Sequence, residues 1–279
     1  MPYSYHSLTA ALASAGIEEA PWEARLLLER LTDASPATLM ADRHRVFDSP
    51  ALNAAVEKRL TRYPLQYILG EWDFCGLTFT VNENCLIPRP DTEILVEEAI
   101  RLLPKNARVA DLCTGSGCVA VATLCHRPDI TAAALELFPE TLALAAHNAE
   151  RNGVADRFTP ICADLLGDGV TLLGKSAPFD AILSNPPYIP TAVVADLSPE
   201  VHTEPHAALD GGKDGLLFYR AILRDYAPMV KPGGLILLEI GYDQGDALVS
   251  LGREYIPDGT TRILKDLGGN HRVAVITLP

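Results

Sequence analysis

Asn185-Pro186-Pro187-Tyr188 is the segment of the chain with the clearest chemical potential. Proline has no N–H and fixes its own φ, so two prolines after Asn185 make a stiff stretch whose carbonyls stay free as acceptors. Asn185 adds a side-chain carbonyl. Two such acceptors can hold both hydrogens of one planar NH2 group. The lone pair of an amide or aromatic amine nitrogen is delocalised and attacks poorly. Acceptors on both N–H bonds favour partial pyramidalisation and aim that lone pair at an incoming methyl group. The nitrogen becomes acidic only as the new bond forms, so no strong general base is required. Tyr188 can stack on the flat group. Asn-Pro and Pro-Pro are also ordinary turn material, and the surrounding elements decide between the two readings.

From about residue 107 onward, strands and helices alternate. Strands are expected at Ala107–Leu112, Thr131–Glu136, Phe158–Asp164, Phe179–Ser184 and Leu235–Ile240. Helices are expected around Val119–Cys125, Pro139–Arg151, Leu216–Met229 and Asp246–Tyr255. Thr260–Leu267 and His271–Leu278 close the chain as a pair whose three-residue turn demands an antiparallel arrangement. This rhythm predicts an α/β fold: a doubly wound, Rossmann-like sheet of seven strands with the last pair antiparallel.

Open sheets of this kind bind ligands at the carboxyl ends of their strands. Four polar clusters stand there. They are Asp111-Leu112-Cys113-Thr114-Gly115-Ser116-Gly117, Glu136, Asp164 and Asn185-Pro186-Pro187-Tyr188. Gly115 and Gly117 let backbone approach a ligand. A third glycine, as in a dinucleotide fingerprint, is replaced by Ala120. Glu136 offers two acceptors to two ribose hydroxyls. Asp164 can accept from an exocyclic amino group such as that of adenine. A nucleotide-like cofactor fits these ends, and on fold grounds NAD competes with a methyl donor.

Residues 1–70 read as a small helical domain, with Leu8, Ala11, Leu12 and Ala15, then Ala24, Leu27, Leu28 and Leu31, then Leu52, Val56, Arg59 and Leu60 at helical spacing. No catalytic grouping falls within it. Residues 71–88 form a hairpin linker, and residues 89–279 the catalytic domain. Asp91 or Thr92 can cap the helix that follows. The net charge is −13 without a Lys/Arg-rich run, so no direct nucleic-acid binding is expected. No apolar stretch reaches a bilayer's thickness and the N-terminus lacks a signal-peptide pattern, so a cytoplasmic protein is expected. A monomer is expected too, although the sequence does not fix the oligomeric state. The six cysteines form no C-x-x-C pair and are expected to be reduced and mostly buried. His202 and His206 lie four apart, but Pro199 and Pro205 break the helix that would bring them together, so no metal is expected.

The ordered set of Asp111, Gly115-x-Gly117, Glu136, Asp164 and Asn185-Pro186-Pro187-Tyr188 resembles class I methyltransferases that act on planar amino groups. Within them the chain is similar, over nearly its whole length, to the peptide chain release factor glutamine methyltransferases, often called PrmC or HemK. Further segments carry the likeness: Tyr67-Ile68-Leu69-Gly70, Ile87-Pro88-Arg89-Pro90-Asp91-Thr92-Glu93, Ala208-Leu209-Asp210-Gly211-Gly212 and Leu238-Glu239-Ile240-Gly241. The resemblance implies methyl transfer from S-adenosylmethionine to the glutamine side chain of the Gly-Gly-Gln loop of bacterial release factors, with S-adenosylhomocysteine as product. It implies that Asp111 and Cys113 to Gly117 border the methionine end, Glu136 the ribose, and Asp164 and Leu165 the adenine. Asn185 and Pro186 would hold the glutamine amide, with Pro187, Tyr188 and Arg89 beside it. Arg89 suits a structural salt bridge equally well. The helical domain would help engage the release factor. Two positions depart from the family's habit: Cys113 stands where glycine is frequent, and Cys75 where an aromatic residue is. Related ribosomal-protein glutamine methyltransferases share the stretch around Cys113-Thr114-Gly115-Ser116-Gly117-Cys118, whereas Arg89 to Glu93 favours the release-factor branch. A DNA or RNA adenine methyltransferase and a non-catalytic S-adenosylmethionine-binding scaffold are the remaining alternatives.

Overall fold

The computed structural model describes residues 2–279. It divides into two compact units. One holds the residues up to Gly70 together with Ser198–Thr203. Its helices are α1 (Tyr5–Ser14), α2 (Ala20–Leu31), α3 (Pro36–Ala41), α4 (Pro50–Leu60) and α5 (Leu65–Leu69). A two-residue strand pair, β1 (Tyr3–Ser4) with β2 (Val46–Phe47), adds to the helices expected there. Ser4, Ser35 and Ser49 each accept a backbone N–H of the helix they precede, which satisfies donors that a helix start leaves open. Leu8, Leu12, Leu27, Leu28, Leu52 and Val56 meet in a common core.

Arg59 falls on this apolar face, as its spacing implies, and is only 4% exposed. Its charge is matched by Glu23 of α2, at 2.6 and 2.9 Å, and by Glu200 at 3.2 Å. Removing one partner of a buried pair leaves an uncompensated charge, which costs far more than the pair contributes. Glu23→Ala is therefore expected to destabilise this unit, though by less than the about 3–5 kcal/mol of a wholly uncompensated charge, because Glu200 stays beside Arg59. A urea titration followed by far-UV dichroism measures it, and a midpoint equal to that of the unchanged protein would contradict the assignment.

The second unit comprises Glu71–Leu197 and Glu204–Pro279. It opens with the hairpin β3 (Glu71–Phe74) and β4 (Leu77–Thr80). Both turn residues, Cys75 and Gly76, have positive φ, as a two-residue turn matched to strand twist requires. The main sheet contains β5 (Arg108–Leu112), β6 (Thr131–Glu136), β7 (Phe158–Cys162), β8 (Phe179–Ser184), β9 (Val230–Glu239), β10 (Thr260–Lys265) and β11 (His271–Thr277). Their order is β10-β11-β9-β8-β5-β6-β7. The pairs within β5 to β9 are parallel, and β11 runs antiparallel to both β9 and β10. The seven-stranded, doubly wound sheet with its antiparallel closing pair is the expected architecture.

Helices cover both faces, so the central strands are apolar on both sides. On one face α6 (Glu93–Leu102), α7 (Cys118–His126) and α8 (Pro139–Arg151) bury Leu95, Val121 and Ala145 against Val109 and Leu183. On the other face α9 (Gly169–Gly174), α11 (Leu217–Ala221) and α12 (Gly245–Tyr255) bury Leu173, Tyr219 and Leu248 against Leu112 and Ile182. The short α10 (Thr191–Val194) lies in the connection after β8.

Some local expectations change. The helix anticipated over Leu216–Met229 is α11 followed by a π turn at Ile222–Tyr226 and a 3₁₀ turn at Ala227–Met229. Pro228 has no N–H with which to continue an α-helical ladder. Tyr219 and Tyr226 along this stretch are fully buried packing residues. Neither Asp91 nor Thr92 caps α6 with its side chain, because a 3₁₀ turn over Pro90–Thr92 leads directly into the helix. The cysteines are unbridged, but only Cys85 is buried; four are partly exposed and Cys162 is exposed. The statistical preference of cysteine for the interior yields to their places at loop and helix edges. No helix among the described residues is long and apolar enough to cross a membrane.

Candidate active site

Strand order places the switch of direction between β5 and β8: β6 and β7 extend the sheet on one side of β5, and β8 begins the other. A crevice forms at such a point, at the carboxyl ends of the strands. Ser184, the last residue of β8, donates to the Leu112 carbonyl of β5 at 2.6 Å, which aligns the two strand ends. Asn185 and Cys113, the next residues on each, therefore start the two banks of one crevice. A cavity of about 380 Å³ lies here, within the range of small-ligand sites.

Cys113, Thr114, Gly115, Ser116, Glu136, Asp164, Leu165, Asn185, Pro187 and Arg89 all line this cavity. Asp111, Gly117, Pro186 and Tyr188 do not. Asp111 is buried beneath the loop, where it accepts from the Thr114 hydroxyl at 2.6 Å and from the Ala120 amide at 3.2 Å. It shapes the loop by tying it to the start of α7. Burial pushes its carboxyl up to about 7, against the pull of these two donors. Gly117 has φ +80, and a Cβ there would press on Ala145 of α8. Its need for glycine is a matter of helix packing. Gly115 has φ +56 and nothing within 4 Å of a Cβ, so its backbone is open. Cys113 also has positive φ, at +59, the region where glycine is at ease.

Glu136 ends β6 and is 8% exposed. One oxygen accepts from the amides of Leu137 and Phe138, at 2.9 and 3.2 Å. The other accepts from the Gly115 amide at 3.0 Å. Burial raises its carboxyl above the usual range, while the same backbone donors oppose the shift. A carboxylate offers about four acceptor positions, so capacity remains on the oxygen shared with Gly115. Ser116 is buried, and beyond a contact with the Cys118 thiol its hydroxyl makes no hydrogen bond of ordinary geometry among the described residues. Asp164 holds its own turn by accepting from the Leu166 amide at 2.8 Å. Tyr226, from the core side, donates to the Leu165 carbonyl at 2.8 Å and pins the same loop.

The Asn185 amide group is oriented. Its Nδ2 donates to the Thr92 hydroxyl at 3.3 Å, leaving the carbonyl oxygen as the free end. Pro186 and Pro187 are buried. Tyr188 packs against the core cluster that contains Tyr219 and Leu238, and its carbonyl accepts from Gln244 at 3.0 Å. Burial pushes the Tyr188 phenol well up, so it stays protonated and offers no base. Arg89 forms the salt bridge foreseen as one of its two roles. It pairs with Glu204, which also accepts from the Ile87 amide at 3.0 Å. The pair joins the segment before α6 to the loop after β8.

Several cavity residues carry no motif. Asn84 to Leu86 form part of one wall, although their sequence reads only as linker. Leu137, Phe138 and Leu166 line the rim and remain 39–47% exposed, an apolar surface suited to a flat ring. A signal was present for Phe138: it lies between a strand-end carboxylate and the proline that opens α8. Asn148 of α8 was silent in sequence, yet it is fully buried. It accepts from the Thr80 amide and donates to the Thr80 and Ser116 carbonyls, at 2.8, 3.0 and 2.9 Å, locking the hairpin and the glycine loop together.

Known proteins resemble this chain over most of its length. Residues 5–70 match the family profile of the PrmC N-terminal domain, and residues 90–210 that of the methyltransferase small domain. The release factor glutamine methyltransferase of Geobacter sulfurreducens is 42% identical over 249 residues, covering 86% of this chain and 84% of that protein. The protein of the same name from Cereibacter sphaeroides is 41% identical over 272 residues, covering 96% and 95%. Among solved structures, a methyltransferase from Pyrococcus furiosus superposes with a TM-score of 0.54 at 19% identity, covering 72% of this chain and 88% of that one, a likeness of fold alone.

Proposed function

Because the chain belongs to the release factor glutamine methyltransferase family, we propose that the cavity at the β5–β8 switch point binds S-adenosylmethionine and presents its methyl group to a glutamine amide held at Asn185. The enzyme methylates release factor glutamine. The glutamine is the one in the Gly-Gly-Gln motif, and the enzyme acts as a monomer in the cytoplasm, where release factors work. The observation that carries the site assignment is the oriented Asn185 amide, whose carbonyl end is free beside the cavity.

The cavity's chemistry fits the cofactor. Glu136 retains acceptor capacity for ribose hydroxyls, and the exposed ring of Phe138 with Leu137 and Leu166 suits a flat base. The unpaired Ser116 hydroxyl and the open Gly115 backbone suit the polar methionine end. S-adenosylmethionine, when bound, supplies an electrophilic methyl group on a sulfonium. Asn185 accepts one N–H of the substrate amide, and the Pro186 carbonyl accepts the other. As the nitrogen takes on positive charge, these fixed dipoles stabilise it without reorganising. The surplus proton is then acidic enough to pass to water, consistent with a protonated Tyr188.

The deciding experiment is transfer of tritium from labelled S-adenosylmethionine to a bacterial release factor, to its Gly-Gly-Gln glutamine-to-alanine variant, and to duplex DNA. Label is expected in the unmodified release factor alone. Label in DNA, or in the alanine variant at an equal rate, would contradict the reading.

A further inference from the structure

We propose that Asn148 is a positioning residue for the cofactor: it holds the glycine loop in its binding conformation and makes that conformation depend on the β3–β4 hairpin. This rests on the reading of the cavity as the S-adenosylmethionine site. Neither Asn148 nor the hairpin lines the cavity, so any effect on the cofactor must pass through the loop.

The Asn148 side chain is fully buried, and its three hydrogen bonds all go to backbone. Its oxygen accepts from the Thr80 amide at 2.8 Å, and one amide hydrogen returns to the Thr80 carbonyl at 3.0 Å. Both polar groups of Thr80, the last residue of β4, are thus paired as a neighbouring strand would pair them. The second hydrogen goes to the Ser116 carbonyl at 2.9 Å. The opposite orientation of the amide would set its oxygen against two carbonyls, so the three bonds fix one another.

Ser116 is 2% exposed and stands just before α7, so its carbonyl needs a partner. The Ala120 amide, four residues on, donates to Asp111 rather than back to Ser116. Asn148 supplies the missing donor from outside the loop. The other supports of the loop come from β6: the Thr114 amide donates to the Leu135 carbonyl and the Gly115 amide to Glu136, each at 3.0 Å. Of these supports, only the one from α8 leads on to the hairpin.

The same face of α8 extends the grip. Thr141, Ala145, Asn148 and Asn152 recur at the three- and four-residue spacings that align side chains along a helix. Thr141 donates to the Asn84 carbonyl at 2.6 Å, and Asn152 donates to the Thr78 carbonyl at 3.2 Å. Ala145 packs where a Cβ on Gly117 would press. One helix face therefore touches the cavity wall, the glycine loop and the hairpin.

A loop that occupies its binding conformation only about a tenth of the time binds about tenfold more weakly. Asn148→Asp keeps the size of the side chain and the acceptor for the Thr80 amide, but turns an oxygen on two carbonyls. It is expected to raise the KM for S-adenosylmethionine and the Kd for S-adenosylhomocysteine about tenfold or more. The kcat at saturating cofactor should stay nearly unchanged, because the Asn185 amide is tied to Thr92 instead. General weakening of the fold would not produce this split. Hydrogen exchange gives a second readout. S-adenosylhomocysteine should slow amide exchange in both the glycine loop and β4 of the unchanged protein, and in the loop alone of Asn148→Asp. The measurement on the unchanged protein stands even if the variant fails to fold. Wild-type cofactor affinity in a folded Asn148→Asp, a fall in its kcat with KM unchanged, or a β4 whose exchange ignores the ligand in the unchanged protein overturns the proposal. If the unchanged protein binds no S-adenosylhomocysteine, the cofactor reading falls. The ligand-free exchange of the glycine loop, expected to quicken in Asn148→Asp, then still decides the tether.

Discussion

Asn185→Ala is expected to lower kcat for methyl transfer about 100- to 1,000-fold, the range seen when one preorganised dipole is removed from a reacting centre. Affinity for S-adenosylhomocysteine should stay nearly unchanged. The asymmetry follows from where the residue lies. Asn185 is the first residue beyond β8, and its amide is tied to Thr92 rather than to the loops of β5 and β6. In the proposed site its carbonyl accepts from the substrate amide N–H, on a nitrogen whose charge develops only in the transition state, so the loss should appear in kcat more than in KM. Single-turnover kinetics beside calorimetry with S-adenosylhomocysteine separates the two. Unchanged turnover would refute the role of Asn185, and collapse of cofactor binding would move it to the cofactor side.

The converse is expected of Glu136→Ala. Hydrogen bonds to a charged group contribute about 1.5–3 kcal/mol each, and every 1.4 kcal/mol is about tenfold in affinity. Losing the one bond for which Glu136 has acceptor capacity left should weaken S-adenosylhomocysteine binding about 10- to 100-fold. The substitution also frees the Gly115, Leu137 and Phe138 amides, so both the glycine loop and the rim loosen together. The Asn185 end is untouched, so the rate at saturating cofactor should largely recover. A dissociation constant equal to the wild type's would remove Glu136 from the cofactor site. Opposite kinetic signatures in the two variants would divide the cavity into a binding half and a reacting half.

The two halves were legible in the sequence to different depths. Glu136 and Asn185 could be found because the ends of β6 and β8 are visible as breaks in apolar runs, and a parallel sheet gathers its strand ends on one edge. The same logic named Asp111, yet Asp111 lies under the loop, holding Thr114 and Ala120. Strand-end position predicts proximity to a ligand, and the depth of a side chain within a turn is decided by backbone angles that a local pattern does not specify. Gly117 repeats the lesson: a glycine read as making room for ligand makes room for Ala145.

What the amino-acid sequence determined by itself was the order of strands and helices, the antiparallel close, the positions of the four polar strand ends, and the chemistry available to Asn185-Pro186-Pro187-Tyr188. All of these depend on periodicity, on the φ of proline and on short turns, which act over a few residues. The tertiary structure alone decided which side chains stand behind that chemistry. Asn185 and Thr92 are distant in the chain and meet only because the turn before α6 packs beside the end of β8. Asn148 joins the hairpin to the glycine loop, and Glu23 neutralises Arg59, in the same way. Contacts between distant residues leave no local period, because each is made by the packing of whole elements. The Asn185 segment can therefore be read from sequence as a candidate holder of an NH2 group, while the direction in which its amide faces is set by a neighbour, Thr92, that only folding supplies.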